Sequence, residues 1–487
     1  MRKEIAVESG FADGIPFYHF RLIKLSSQKL TFMHRLLFTS LFFSLNFPAQ
    51  AQNDDSVMIR KIANEILTHG KAYSNLHTLT KTVGPRLSGS PQTYKAESWA
   101  QKALEEAGAE KVWMQECKIP HWVRGGKEVA GVIDGKKSFP ISVLALGNSI
   151  ATPPQGLTAP VILINSFEDL EKKKNEIKGK IVFYNYKFNP EYIQTFYAYV
   201  NAVAYRGAGA VNAAKYGAVA TVVRSMTESV DNNPHTGAMN YKDSVPKIPA
   251  FAVGLWDADK MAAAISAGRN IKLFLRTNAH TLPDTIGYNV IGEIRGTEFP
   301  DEYITVGGHL DSWDPAEGAH DDGAGCVHSI EVMRALKAVG YKPKHCLRIV
   351  LFTDEENRGS GATAYASEAK AKNEKHFFAL ESDAGGFTPR GFSFLISDSR
   401  LARIRSWIPL FHEYGVYEFS KGFGGADTEL LAQYFGTPVS QLVPDSQRYF
   451  DYHHSAGDVL ENVNKRELEL GAINMAALIY LVDKYGL

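Results

Sequence analysis

Excess charge is the first thing this sequence lacks. Lys+Arg and Asp+Glu both total 53, so the formal net charge is zero, and no long Lys/Arg run occurs. That excludes the basic field by which proteins hold nucleic acid or an anionic membrane. Cysteine is scarce as well: Cys117, Cys326 and Cys346 are an odd, sparse set that makes no disulfide framework. Their spacing does not match a thiolate zinc site, so three buried thiols are expected. No apolar run reaches the roughly 20 residues of a membrane-spanning helix, and no repeat or low-complexity segment is evident. What is present is ordinary globular material, 45% hydrophobic and 22% charged over 487 residues, enough for two or three domains.

The N-terminal region carries an address. From Met33 the chain reads MHRLLFTSLFFSLNFPAQAQ, a basic start, an apolar stretch from Leu36 to Leu45, then Ala49-Gln50-Ala51. That layout predicts a secretory signal over 33–51, cleaved after Ala51. Residues 1–32, polar and mixed, read as an upstream extension. The expected protein is exported, without a stable membrane anchor.

Three stretches follow. From about Ser56 to Glu116 the pattern is helical, with Ile59, Ile62, Ile66 and Leu67 on one face. A loop rich in Gly, Pro and Ser, TVGPRLSGSP, interrupts it at 82–91. From Pro120 to Leu282 come short β-like runs: VILI at 161–164, KIVFYNY at 180–186, ATVVRS at 220–225 and IPAFAV at 248–253, with one helical segment near Ala208 to Tyr216. From Gly287 onward, apolar strands alternate with helices, as in α/β domains.

The chemistry lies in that last stretch. Tyr303 to Val306 reads as a strand running into Gly308-His309-Leu310-Asp311, and Asp321 follows in GAHDDGAG before a helical segment. LRIVLF at 347–352 ends in Asp354-Glu355-Glu356. The run 376–380 ends in Glu381-Ser382-Asp383, and YHHSAGD brings His453 and His454. In an open α/β sheet, ligands collect beyond the carboxyl ends of the strands. Two His and three carboxylates suit zinc, which takes nitrogen and oxygen donors and keeps an open position when catalytic. A shared carboxylate can bridge two ions roughly 3.5–4 Å apart, as in two-metal hydrolases. Taken singly, each motif has a plainer role: a capped helix start, a solvated loop, a surface histidine. Their joint occurrence at strand ends favours the metal site.

Together VGGHLDSWD, GAHDDGAG, FTDEENRGSGA, ESDAGGF and YHHSAGD give a chain that resembles the co-catalytic zinc aminopeptidase and carboxypeptidase Q family, over nearly all of the sequence after the signal. The resemblance implies an α/β zinc-peptidase domain with a central mixed sheet flanked by helices. It is assembled from residues 52–119 and 286–487, with a β-rich insert over 120–285 similar to the protease-associated domain. It implies two zinc ions per chain, one held by His309 and Asp383, the other by Glu356 and His454, with Asp321 bridging. Glu355 is the implied general base and Asp311 the residue orienting His309. Asp458 is expected to serve His454 likewise, and the peptide after Asp321 is expected to be cis. His320 and His453 are expected to line or pack. Tyr449 and Tyr452 could donate to an oxyanion, although packing is the commoner role for such aromatics. Asp427, before a helix containing Leu430 and Leu431, could take a substrate amine, with a helix cap the favoured role.

The implied activity is hydrolysis of dipeptides or short peptides, with an aminopeptidase of the same family as the alternative. A metal-free receptor on the same fold should have lost ligands, and none of the five is missing. A single-zinc glutaminyl cyclase-like transferase is disfavoured by the intact His309. The expected partner is a small peptide, and a homodimer is compatible with the reading.

Overall fold

The computed structural model describes residues 46–487, with side chains from residue 54 onward. The expected extension 1–32 and the apolar stretch up to residue 45 lie outside the described residues. The backbone at 46–51 begins the helix Asn46–His69. From Asp55 to Leu487 the chain forms one compact unit containing two eight-stranded sheets.

The first sheet takes β1 (Lys111–Val123) from the early chain. The second sheet takes β2 (Val129–Asp134), β3 (Lys137–Pro140), β4 (Val143–Ala145), β5 (Leu157–Ile164), β6 (Ile181–Tyr184), β7 (Ala220–Arg224), β8 (Ala250–Val253) and β9 (Lys272–Arg276). The first sheet resumes with β10 (His280–Ile294), β11 (Phe299–His309), β12 (His345–Phe352), β13 (Lys375–Glu381), β14 (Pro389–Leu395), β15 (Glu418–Lys421) and β16 (Val439–Pro444). Its spatial order is β1-β10-β12-β11-β13-β16-β14-β15, and the second runs β3-β2-β9-β5-β6-β7-β8-β4.

The apolar runs became central strands because both faces of the first sheet are covered. Every residue of β12 is buried. Leu347, Ile349 and Leu351 face a core shared with the helices Asn46–His69, Pro91–Ala107, Ala324–Ala338 and Lys465–Tyr485. Val350 and Phe352 face the helices Ser360–Ala371 and Glu429–Phe435.

Two sequence expectations shift. The helical reading up to Glu116 ends early: Pro91–Ala107 starts on a Ser90 side-chain cap with Pro at its first turn and stops at Gly108, whose φ of 94° is left-handed. Residues 111–123 then pair with β10 as an edge strand, where Pro120 is tolerated at a register shift between Ile119 and His121. The expected insert limits at 120 and 285 consequently fall inside β1 and β10. The β-rich stretch also holds helices not read from sequence, Thr195–Gly207 and Leu255–Ser266, beside the anticipated one at Gly209–Ala214.

The second sheet is clamped to the first. Trp313 lies against Trp122 (6.2 Å between ring centres), and both join the second sheet's core. Arg124 grips Asp314 with two hydrogen bonds of 2.8 and 2.6 Å.

Candidate metal centre

β11 runs parallel to both β12 and β13, and β13 runs parallel to β16. Their carboxyl ends therefore open on one side of the sheet. His309 closes β11, Glu355 and Glu356 follow β12, and Asp383 follows β13. Asp321 sits just ahead of the helix Ala324–Ala338, and His454 lies in the loop after β16 and the short helix Tyr449–Tyr452.

The structure brings the five expected ligands together. His309 Nε2 lies 3.1 Å from Asp321 Oδ1 and 3.5 Å from Asp383 Oδ1. His454 Nε2 lies 3.1 Å from Asp321 Oδ2 and 3.0 Å from Glu356 Oε2. Asp321 thus stands between two imidazoles, one oxygen toward each. Asp321 Oδ2, Glu356 Oε1 and Asp383 Oδ1 are buried without a hydrogen-bond partner. Buried carboxylate oxygens left this way are costly unless a cation completes them. Nitrogen and oxygen donors converging on two points, with unpartnered oxygens among them, fit a pair of zinc ions.

Burial alone would lower the imidazole of His309, but Asp383, Asp311 and Asp321 hold it well above its ordinary value. His454 is likewise raised, to about 9, by Glu356 and Asp321 against the pull of burial. Such a carboxylate-rich pocket attracts protons where it does not hold metal. Glu355, whose side chain is 25% exposed and 3.9 Å from His309 Nε2, faces the same space. Burial, then the charges of Asp383, Glu356 and Asp311, push its carboxyl well above the carboxylate range.

The supporting residues differ from expectation in instructive ways. His309 Nδ1 lies 3.1 Å from the main-chain oxygen of Asp311 and 3.7 Å from its carboxylate. The Asp311 carboxylate also accepts the amides of Glu355 and Glu356 and the hydroxyl of Ser88. It ties the end of β12 to that of β11. Asp458 does not reach His454; its oxygens accept the amides of His320 and Asp321, at 2.6 and 3.2 Å. Asp322 is equally structural, accepting from the amides of His309 and Gly325. The Asp321–Asp322 peptide is cis.

His320 packs, its ring parallel to Phe387 and Tyr452. Tyr452 is therefore occupied by stacking. Tyr449 is buried, stacked on Phe196, and the charges of Asp321 and Asp383 reach its hydroxyl and raise it well above the usual phenol range, after burial as the main cause. His453 stacks on His454 at 3.5 Å with its Nε2 3.7 Å from Asp321 Oδ2, so it also lies within reach of the centre. Asp427 is buried, yet no side-chain cap begins the helix Glu429–Phe435. The expected capping role is not what the structure shows.

One contribution had no signal in the sequence. His454, at φ 59°, is pinned from the second-sheet half of the molecule. The Thr236 amide donates to the His454 carbonyl at 2.9 Å, and the Thr236 carbonyl lies 3.3 Å from His454 Nδ1. A proton on Nδ1 leaves the Nε2 lone pair for a metal. Arg206 donates to the same Thr236 carbonyl at 3.2 Å and to the Tyr199 hydroxyl at 2.6 Å. A Cβ at Gly237 would stand 2.4 Å from the Arg206 guanidinium, so only glycine lets that side chain through.

The profile of peptidase family M28 matches residues 289–479. Human carboxypeptidase Q is 37% identical over 428 residues, covering 87% of this chain and 88% of the relative. The chain belongs to peptidase family M28. The crystal structure of a peptidase M28 precursor from Shewanella amazonensis superposes with a TM-score of 0.84 at 31% identity, covering 89% of this chain and 97% of that one. A zinc aminopeptidase from Bacillus subtilis shares the fold, with a TM-score of 0.60 at 20% identity over 85% of this chain and 95% of that one. As a family member the chain is a peptidase, and its polar cluster lies within the matched span.

Proposed function

We propose that this M28 zinc exopeptidase holds two zinc ions per chain and hydrolyses dipeptides or short peptides after export. The observation that carries the reading is Asp321, standing between His309 and His454 with an oxygen toward each. His309 and Asp383 would hold one ion, Glu356 and His454 the other, and Asp321 would bridge them. Glu356 is preferred to His453 because Glu356 Oε2 is 3.0 Å from His454 Nε2, whereas the His453 ring is stacked flat on its neighbour. Bound zinc supplies Lewis acidity at the scissile carbonyl and acidifies the attacking water.

The chain's own residues do the rest. Glu355, partly exposed at the edge of the cluster, takes the water's proton and returns it to the leaving amine. Asp311 holds the Glu355 amide and so fixes the base against the end of β11. Tyr449 would donate to the oxygen on which charge develops. Phe196 packs on Tyr449 and Tyr199 on His453, so aromatic rings border that side of the cluster. The name carboxypeptidase Q and the name zinc aminopeptidase describe relatives whose specificities differ, and a dipeptide satisfies both.

Zinc content per chain, with hydrolysis of a dipeptide panel before and after chelation, tests the reading. Two ions and chelator-sensitive cleavage are expected; no zinc and no rescue by added metal would overturn it. Export rests on the 33–51 signal pattern. Among the described residues no helix is long and apolar enough to cross a membrane. Mass spectrometry of the protein recovered outside the cytoplasm should show an N-terminus at Gln52.

A further inference from the structure

Beside the cluster lies a carboxylate that the reaction above leaves unused. Asp427 is 2% exposed, and both of its carboxylate oxygens are buried without a hydrogen-bond partner. Its loop is held rigidly. The amides of Ala426, Asp427 and Thr428 and the Thr428 hydroxyl all donate to Glu381, which closes β13 two residues before Asp383. A Cβ at Gly425, where φ is +116°, would come within 2.4 Å of Glu381 Oε2, so glycine is required for the loop to press this close. Glu381 is satisfied by these donors; Asp427 is not.

The groups around Asp427 narrow what could partner it. After burial, the charges of Glu381, Glu355 and Asp383 act on its carboxyl and hold it well above the carboxylate range, with His309 opposing. It therefore lies within electrostatic reach of the general base and of one expected zinc ligand, on a loop bound to Glu381 two residues before Asp383. Two triads of possible metal ligands stand out among the described residues, His309 with Asp321 and Asp383, and Asp321 with His453 and His454, and Asp427 is in neither. A buried carboxyl with neither oxygen partnered, crowded by other carboxylates, becomes a favourable ion only when a cationic donor meets it, and a donor that arrives with the ligand leaves it unpartnered beforehand.

We propose that Asp427 receives the free α-ammonium of the peptide substrate. The inference rests on the peptidase reading and deepens it. With the ammonium held beside Glu355 and Asp383, the carbonyl delivered to the metal ligands is that of the first residue. Cleavage is then counted from the N-terminus, at the first peptide bond, and N-terminally blocked peptides are rejected.

The test uses zinc-loaded enzyme and compares L-alanyl-L-alanine with its N-acetyl derivative, reading kcat, KM and zinc content. It adds calorimetric binding of leucine hydroxamate and its des-amino analogue, which share the metal-binding group. Wild type should favour the free amine by roughly 100-fold or more in kcat/KM, because an unpaired buried group rejects a substrate lacking its partner. Asp427→Asn should collapse that ratio about tenfold or more, chiefly through KM, and shrink the calorimetric gap between the hydroxamates, with zinc retained. Asp427→Ser, which is smaller, carries the same expectation should the first variant not fold. An undiminished free-amine preference in a zinc-replete variant overturns the proposal. So does wild type binding both hydroxamates equally, whatever the variants do. A wild type that hydrolyses acetylated and free dipeptides alike sinks the amine site and leaves the peptidase standing, whereas absent zinc and absent hydrolysis sink the peptidase reading itself.

Discussion

Glu355 and Asp321 sit in one cluster but depend on it differently. Asp321 faces both histidines, so Asp321→Ala should lose zinc and activity together, as read by metal analysis and dipeptide turnover. Glu355 is not one of the five expected ligands, so Glu355→Gln should keep its zinc and lose roughly 10²–10⁴-fold in kcat. Turnover of Glu355→Gln near the wild-type rate would show that the base lies elsewhere. Far from the site, Glu97 offers a pH test. It is 1% exposed, accepts one amide from Tyr288, and burial raises its carboxyl to about 7. A folded-state value above the unfolded one means that the native protein binds the extra proton. Its stabilising effect is thus complete below about 4.5 and is lost as the pH rises through about 7. Glu97→Gln should raise the melting temperature at pH 8 and leave it nearly unchanged at pH 4.5. Each tenfold difference in proton affinity between the native and unfolded chain is worth about 1.4 kcal/mol, so the contrast should be plain in thermal scans at the two pH values. At this scale the convergence of His309, Asp321, Glu356, Asp383 and His454 was legible, because four of them sit at a strand end or a helix start and His454 lies in a motif of its own. The sequence was least legible for Asp427, whose position before a helix suggests a cap.

At the scale of elements, the strands of the first sheet announced themselves as unbroken apolar runs, since burial on both faces leaves no alternation to misread. β1 was not legible because it is an edge strand with mixed burial, which leaves no clean alternation to mark it. The helix Thr195–Gly207 was missed for another reason: one side of it meets Phe450 and His453, some 250 residues later, so its pattern makes sense only after docking. The pairing of Arg124 with Asp314 makes that docking measurable. Arg124 is 11% exposed, and its removal leaves Asp314 and the buried Glu128 uncompensated. Arg124→Ala should cost about 3 kcal/mol in a urea titration; a loss under about 0.5 kcal/mol would mean that Trp313 and its neighbours hold the two sheets without it.

At the scale of the whole molecule, metal and fold are linked. Zinc that binds only the native state stabilises it by about 2.7 kcal/mol when present at 100 times its dissociation constant. Chelation should therefore lower the melting temperature by several degrees, and zinc should restore it; calorimetric scans with and without chelator check this. Unchanged melting would mean that the native state does not bind zinc in preference to the unfolded chain.

The pin on His454 carries a consequence for the order of events in the cell. Thr236 and His454 are 218 residues apart, and loop closures of that span come late in folding. The centre cannot form until the C-terminal segment has been synthesised and both halves have docked. Zinc capture would then report a finished chain, and a truncated or misdocked molecule would stay proteolytically silent.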